Sequence, residues 1–135
     1  MPICVLSHNP KSTRLTHHVG AAYVFNPFSF LPVMRRSKLY ISGGGSLIQN
    51  QTSTRSLNYY LLSIRLAKLT GNRVLMYGCG IGPVNGETSR KRAARVIDRN
   101  VDAITLREDL SAEELRAMGV TKPKIYVTAD PALLL

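Results

Sequence analysis

LYISGGGSLIQNQTSTRSLNYYLLSIRLAKLTGNRVLMYGCG, residues 39–80, contains in order an apolar run, a glycine-rich loop, a helical pattern and a second apolar run that also ends in glycines. Leu39 to Ile41 predicts a short strand that ends where the glycines begin. From about Thr54 to Leu69 apolar residues recur at helical spacing, and Gly71 stops the helix. Val74 to Tyr77 predicts the next strand. The stretch therefore predicts a strand–helix–strand unit with glycines after each strand.

The rest of the chain continues this alternation. Further strands are predicted at Ile3–Ser7, which we expect to be buried, and at Ala22–Phe25, Ala103–Leu106 and Ile125–Val127. Further helices are predicted after Pro10, after Asn26-Pro27 (where Pro32 argues against a long helix), from Arg90 to Arg99, from Ser111 to Met118, and from Asp130-Pro131. Short apolar strands between helices are typical of a parallel sheet. The sequence thus predicts an α/β, Rossmann-like fold: a mostly parallel sheet with helices on both faces, forming a single domain over residues 1–135.

The composition limits the classes of protein to consider. The chain has 135 residues, is 44% hydrophobic and carries a formal charge of +10. It contains neither a signal-peptide pattern nor an apolar run of the roughly 18 residues that a membrane span requires, so we expect a cytoplasmic protein. Cys4 and Cys79 lack the spacing of metal ligands, and we interpret both as reduced thiols. We expect no metal and no cofactor.

The positive charge favours an anionic partner, such as a nucleic acid, a phosphorylated metabolite or a membrane surface. Aromatic residues make up only 7% of the chain and are not interleaved with the basic residues. A stacking platform for nucleic acid is therefore disfavoured, and we expect no nucleic-acid partner. Many of the basic residues fall between Arg90 and Arg99, on a predicted helix. The solvent-exposed face of an ordinary amphipathic helix would also explain this cluster.

Three segments are predicted to lie at the carboxyl edge of the sheet, where open parallel sheets bind ligands: Ser42–Ser56, Gly78–Gly86 and Arg107–Asp109. GGGSLIQ lacks the Lys-Ser/Thr ending of a Walker A loop, and GCGIGP has a proline where a dinucleotide-binding helix would begin. Nucleotide hydrolysis and hydride transfer are therefore disfavoured. We expect the glycines to leave backbone N–H groups open to an anion or a sugar.

Arg107 is the leading candidate side chain, because it follows a strand and precedes a helix start. Ser111 and Glu114 are spaced as a capping box, with Leu110 and Leu115 as its hydrophobic staple. An arginine beside a helix N-terminus can hold a carboxylate or a phosphate. The alternative is an ion pair of Arg107 with Glu108, Asp109 or Glu87.

The polar run after the first glycine loop suits the recognition of sugar hydroxyls, although a plain loop leading into a helix has the same composition. His8, His17 and His18 are expected at the surface, and no nucleophile-elbow motif is present. The predicted substrate-binding residues are Gly43, Gly44, Gly45, Ser46, Gln49, Thr52, Ser53, Arg55, Gly80, Gly82, Pro83 and Arg107.

Three segments in this order closely resemble the CsaB-type polysaccharide pyruvyl transferases: SGGGSLIQNQTSTRSLNYYLLSIRLAKLTGNRVLMYGCGIGPV, DAITLREDLSAEELRAMGV and VTADPALLL, preceded by NPFSFLPVMRRSKLYISGGGSL. The resemblance covers the chain from about Ile3. It implies transfer of a pyruvyl group from phosphoenolpyruvate to a sugar hydroxyl pair on a lipid-linked glycan precursor, forming a ketal. Arg107 matches an arginine that the family associates with donor binding.

The resemblance also implies one half of a two-domain, GT-B-like architecture. The family's first strand and acidic loop, and its second domain with an essential histidine, have no counterpart here, so we expect a chain that binds but is inactive alone, with unknown catalytic residues. The basic helix is a candidate for peripheral contact with the inner face of the membrane, and the missing half is compatible with homo-oligomers. The alternatives are a glycosyltransferase-like domain for a nucleotide sugar or sugar phosphate, a basic nucleic-acid-binding module, and a truncated product with no activity.

Overall fold

The computed structural model describes residues 2–134, and its polypeptide divides into two compact units with the boundary between Lys38 and Leu39. The first unit contains two strands and two helices: β1 (Cys4–Ser7), α1 (Pro10–His17), β2 (Gly20–Tyr23) and α2 (Pro27–Arg36). The second contains four strands, three helices and a terminal 3₁₀ turn: β3 (Leu39–Gly43), α3 (Thr54–Leu69), β4 (Arg73–Cys79), α4 (Glu87–Asn100), β5 (Ala103–Leu106), α5 (Asp109–Ala117), β6 (Lys124–Val127) and Pro131–Leu134. Among the described residues no helix is long and apolar enough to cross a membrane.

In the first unit, β1 and β2 pair in parallel, with Cys4 opposite Gly20. The predicted burial of β1 is wrong: Cys4 and Val5 are exposed, because a two-stranded sheet in so short a unit has little to pack against. The second strand also lies two residues earlier than predicted, since its pairing begins at Gly20. Asn26 then caps α2, which continues through Pro32 to a length of 10 residues.

In the second unit, the strands form one sheet in the order β3-β4-β5-β6, and every pairing is parallel. The predicted α/β fold with parallel strands and helices is confirmed, but the expectation of helices on both faces of the sheet does not hold for this unit. Strand order that follows chain order, with right-handed crossovers, brings successive helices to the same face of a sheet. Val74, Met76 and Ile104 are accordingly buried under the helices, whereas Ile41 and Tyr77 on the opposite face are exposed.

The core of the second unit lies between this sheet and its helices. Leu57, Leu61 and Ile64 of α3 are buried, as the helical spacing predicted. Ala93, Ala94 and Ile97 form the inner face of α4. This packing fixes the four strands side by side, so that the loops after β3, β4, β5 and β6 emerge at one edge.

Candidate functional site

The carboxyl ends of the four strands meet around Arg107, in the loop after β5. The Arg107 guanidinium donates to Ser46 Oγ, in the loop after β3, at 3.0 Å. Its other branch lies 3.3 Å from Oδ2 of Asp130, which follows β6. The backbone N–H of Arg107 donates to the carbonyl of Cys79, at the end of β4, at 3.4 Å. One half-buried cation thus connects all four strand ends.

The proposed ion-pair alternative for Arg107 has a different partner from those expected. Neither Glu108, Asp109 nor Glu87 forms an ion pair with it among the described residues, since the carboxylate at 3.3 Å belongs to Asp130. Glu87 instead pairs with Lys91, one turn along α4. The sequence pattern at Asp130-Pro131 predicts only a helix start and gives no signal for this contact. Asp130 Oδ1 does accept from the backbone N–H of Ala132 at 3.0 Å, which leaves Oδ2 to face the arginine.

Gly80 is the point at which this cluster approaches the backbone most closely. A Cβ atom added there would lie 2.8 Å from Ser46 Oγ, 3.1 Å from Arg107 Nη2 and 3.3 Å from Glu108 Oε1. Both charged groups therefore lie beside Gly80, although Arg107 and Glu108 form no ion pair with each other in the described structure. By contrast, a Cβ at Gly44 or Gly45 would meet nothing within 4 Å, and both residues have positive φ. The first glycine loop needs glycine for its backbone conformation, whereas Gly80 needs it for space.

Glu108 is held by a buried serine. Ser111, which is 0% exposed, accepts from the backbone N–H of Ile81 at 2.8 Å and donates to Glu108 Oε1 at 3.1 Å. This chain of bonds fixes the turn after Gly80 and one oxygen of the Glu108 carboxylate together. The other oxygen, Oε2, has no hydrogen-bond partner within residues 2–134. Glu108 was not among the predicted site residues. Its position directly after the strand-end Arg107 is the sequence signal that could have revealed it.

The predicted capping box is therefore wrong. The helix begins at Asp109 with Glu108 as N-cap, so Ser111 lies in the first turn and faces the interior. Glu114 forms an ion pair with Arg90 of α4 instead of reaching back to Ser111. The staple is wrong for the same reason: Leu115 is fully buried, but Leu110 points outward and is 70% exposed.

The two glycine loops are joined along most of their length by backbone hydrogen bonds. The N–H of Gly44 donates to Tyr77 O at 3.1 Å, that of Gly80 to Gly45 O at 3.1 Å, and that of Gly82 to Ile48 O at 2.7 Å. These amides are thus not open to an anion, and the expectation that the loop N–H groups are free is wrong for them. The loops serve to bring Ser46 and Gly80 together, because parallel pairing continues beyond the sheet as the Ile48–Ile81 bridge.

The polar run before α3 makes the contacts of a loop that leads into a helix. Gln49 donates to Thr52 Oγ1 at 3.0 Å and accepts from the N–H of Gln51 at 2.8 Å. Ser53 caps α3 by accepting from the N–H of Arg55 at 3.1 Å. No described hydrogen bond connects this run with Arg107. Arg55 is exposed. A ligand-binding role for the residues of this run stays a prediction.

A groove adjoins the cluster on the side of α5. It has a volume of about 450 Å³ and shares Glu108 with the cluster; its other lining residues include Ile81, Gly82, Pro83, Leu110 and Glu113. Of the predicted residues, Gly82 and Pro83 therefore lie at this groove, while Ser46, Gly80 and Arg107 form the cluster.

Cys79 lies under the cluster and is fully buried. Burial raises the pKa of its thiol to about 11, although hydrogen bonding to Tyr77 and the nearby Arg107 charge act in the opposite direction. A protonated, inaccessible thiol is a poor nucleophile. Cys79 therefore packs beneath the site without contributing reactivity. The three histidines are exposed, as predicted.

One of the comparisons with known proteins gives a match for the chain. A family model described as polysaccharide pyruvyl transferase matches residues 2–135. Neither the curated proteins nor the solved structures give a match.

Proposed function

The chain belongs to the polysaccharide pyruvyl transferase family, and on this basis we propose that it binds phosphoenolpyruvate as the donor of a pyruvyl group. The family is one of transferases that act in polysaccharide biosynthesis. In the proposed reaction two hydroxyls of a sugar, on a lipid-linked precursor of a cell-surface glycan, form a ketal with pyruvate, and phosphate is released.

The observation that carries the donor assignment is the position of Arg107. Phosphoenolpyruvate carries a carboxylate and a phosphate, and a guanidinium binds either group through paired hydrogen bonds. The Arg107 side chain lies where four strand ends converge, next to the Ser46 hydroxyl at 3.0 Å and the open side of Gly80. The hydroxyl and the guanidinium can donate to the same anion. The 29% exposure of the Arg107 side chain keeps it accessible while limiting its hydration.

Glu108 is the group that we propose carries a proton in this reaction. Ketal formation adds a proton to the methylene carbon of the donor and bonds the first sugar oxygen to the neighbouring carbon as that hydroxyl loses its proton. The second sugar oxygen then bonds to the same carbon and loses its proton, while the C–O bond to the phosphate breaks and phosphate leaves with the bonding electrons. A positioned carboxylate can deliver or accept such protons. Ser111 holds Glu108 Oε1 at 3.1 Å, and this same oxygen lies 3.3 Å from a Cβ atom added at Gly80, so the carboxylate borders the place proposed for the donor.

The groove beside α5 suits the acceptor in this arrangement. Glu108 borders both the groove and the Arg107 cluster. A sugar in the groove would therefore meet a donor at Arg107 across the Glu108 carboxylate. The GT-B-like architecture, in which a second domain faces this edge, stays a proposal that rests on the family resemblance.

Calorimetric titration of the chain with phosphoenolpyruvate tests the donor assignment, with inorganic phosphate as the control ligand. We expect saturable binding that Arg107→Ala weakens at least tenfold, as the loss of a charge-assisted bond predicts. Arg116→Ala provides the matched control, since this exposed arginine of α5 makes no hydrogen bond or ion pair with the cluster within residues 2–134. Absence of binding by a chain that circular dichroism shows to be folded would refute the assignment.

A further inference from the structure

Two stripes of exposed side chains on α3 and α4 form a basic surface remote from the Arg107 cluster. Arg92, Arg95 and Arg99 are exposed on α4, at the spacing that places residues on one side of a helix. Leu62, Arg65 and Leu69 are exposed at the same spacing on α3. These six residues are called the outer basic surface below.

The two stripes are adjacent because the helices pack against each other. Arg92 Nη1 donates to Asn58 Oδ1 on α3 at 2.9 Å, a contact across 34 positions of the chain. Farther along, Lys68 Nζ contacts Asp102, two residues beyond the end of α4, at 2.7 Å. The two helices are therefore neighbours from Asn58 to the end of α3, and their exposed stripes belong to adjacent helices.

Asp98 is the carboxylate near this surface: the backbone N–H groups of Lys122 and Thr121 lower its pKa most, and the Arg99 charge also contributes. Glu87 pairs with Lys91, Asp102 pairs with Lys68, and Asp98 accepts from the backbone N–H groups of Thr121 and Lys122 at 2.8 Å. Within residues 2–134 none of the four arginines of the surface takes part in an ion pair. Four positive charges therefore face solvent together.

The exposed leucines indicate what kind of anion fits. Leu62 is 53% exposed and Leu69 is 72% exposed, and they lie on α3 on either side of Arg65. Cations next to aliphatic side chains on a helix surface match the boundary between lipid headgroups and acyl chains. A surface for nucleic acid would more typically add aromatic residues for stacking or a groove for the backbone. We propose that the outer basic surface binds an anionic lipid bilayer, with α3 and α4 lying along the membrane plane.

This surface would hold the chain where a lipid-linked sugar is presented. That step alone rests on the proposed function, whereas the binding of a bilayer follows from the charges and leucines. The membrane-bound chain and a lipid-linked acceptor would then meet by diffusion within the membrane plane.

Vesicle sedimentation at low salt tests the proposal with neutral phosphatidylcholine vesicles and with vesicles containing a quarter phosphatidylglycerol. We expect binding to the anionic vesicles only, lost on raising the salt. Arg92→Gln/Arg95→Gln/Arg99→Gln should weaken partitioning at least about 30-fold, since each cation contributes near an anionic surface. The control Arg116→Gln/Lys122→Gln/Lys124→Gln removes the same charge from exposed positions elsewhere and should weaken it less than about threefold. Leu62→Ser/Leu69→Ser should weaken it about tenfold.

Several outcomes would overturn the proposal. Equal binding to both vesicle types would exclude charge recognition, and equal losses in the two triple variants would show dependence on net charge alone. Unchanged binding by the leucine variant would exclude insertion into the bilayer. Binding of a DNA duplex through the same arginines, without vesicle binding, would assign the surface to nucleic acid. Titrating each variant with phosphoenolpyruvate separates this test from the donor assignment. Vesicle binding and phosphoenolpyruvate binding are measured independently, so either one can be absent while the other is present.

Discussion

The carboxylate of Asp130 lies 3.3 Å from the guanidinium of Arg107, 23 positions earlier in the chain. Asp130 therefore occupies one side of the cation that we assign to the donor. A carboxylate beside a bound anion repels it, and in a partly exposed site this repulsion amounts to roughly 0.5–1 kcal/mol. We expect Asp130→Asn to bind phosphoenolpyruvate about two- to fivefold more tightly in calorimetric titration.

Asparagine suits this test because it can still accept from the Ala132 N–H, the bond that Asp130 Oδ1 makes at 3.0 Å. Asp109→Asn is the matched control: it removes an exposed carboxylate close in sequence that makes no ion pair with Arg107 in the described structure. Weaker binding by Asp130→Asn would show that Asp130 orients the guanidinium instead of competing with the donor.

A side chain at Gly80 should disturb the site more than the fold. In Gly80→Ala the new Cβ would lie 2.8 Å from Ser46 Oγ, which must move because such contacts are too short. The serine side chain is exposed and can rotate, so we expect the melting temperature to fall by only a few degrees. Losing the Ser46–Arg107 bond should weaken phosphoenolpyruvate binding about fivefold.

Gly43→Ala is the control for Gly80→Ala, since a Cβ there would meet Ile41 Cγ2 and Tyr77 O no closer than 3.4 Å. It should leave donor affinity unchanged. Equal losses of affinity in the two alanine variants would mean that the convergence of side chains at Gly80 has no part in binding.

The buried hydroxyl of Ser111 should matter for stability as well as for the site. Ser111→Ala leaves the buried N–H of Ile81 without its acceptor at 2.8 Å, which costs about 1–3 kcal/mol. We expect urea denaturation to show this loss in free energy of unfolding. Ser46→Ala, which truncates an exposed serine, should cost less than about 0.5 kcal/mol. Equal, small losses in both variants would contradict a structural role for the Ser111–Ile81 bond.

The sequence predicted the location of the site better than its contacts. Short apolar runs alternating with helices allow few arrangements other than a parallel sheet, and a parallel sheet brings the ends of its strands to one edge. Arg107, Ser46 and Gly80 could therefore be expected to lie near one another before any coordinates were known. Their hydrogen bonds could not, because these depend on the register shift of β4 between Met76 and Cys79.

Local patterns were misleading where tertiary packing decides the outcome. Ser111 and Glu114 fit a capping box by spacing, yet the helix starts two residues earlier and turns Ser111 inward. Asp130 resembles a helix cap, which it is, but its second carboxylate oxygen faces Arg107. A side chain with two acceptors can serve local and distant partners together, and sequence spacing reports only the local one.

Asp102 provides a pH-dependent test of how the second unit is held together. Its carboxylate contacts Lys68 Nζ at 2.7 Å and accepts from the N–H of Val74 at 2.8 Å, joining the end of α3 to the starts of β4 and β5. Burial alone would raise the pKa of Asp102, but these bonds outweigh it and hold that pKa below the ordinary value of an aspartate. A carboxyl group whose pKa is lowered by folding stabilises the fold above its unfolded pKa and loses that contribution as the pH falls through the folded value.

Asp102→Asn keeps an acceptor for Val74 but removes the charge. Because the side chain is 40% exposed, we expect a loss of only about 1 kcal/mol in the free energy of unfolding at pH 7. Urea denaturation between pH 7 and pH 2 should show this difference shrinking below about pH 4, where the unfolded carboxyl takes up a proton, until the folded carboxylate is protonated as well. Lys68→Met should reproduce most of the loss at pH 7, and the double variant should lose little more than either single variant. Fully additive losses, or a difference that persists to pH 2, would show that the Lys68–Asp102 pair does not stabilise this junction.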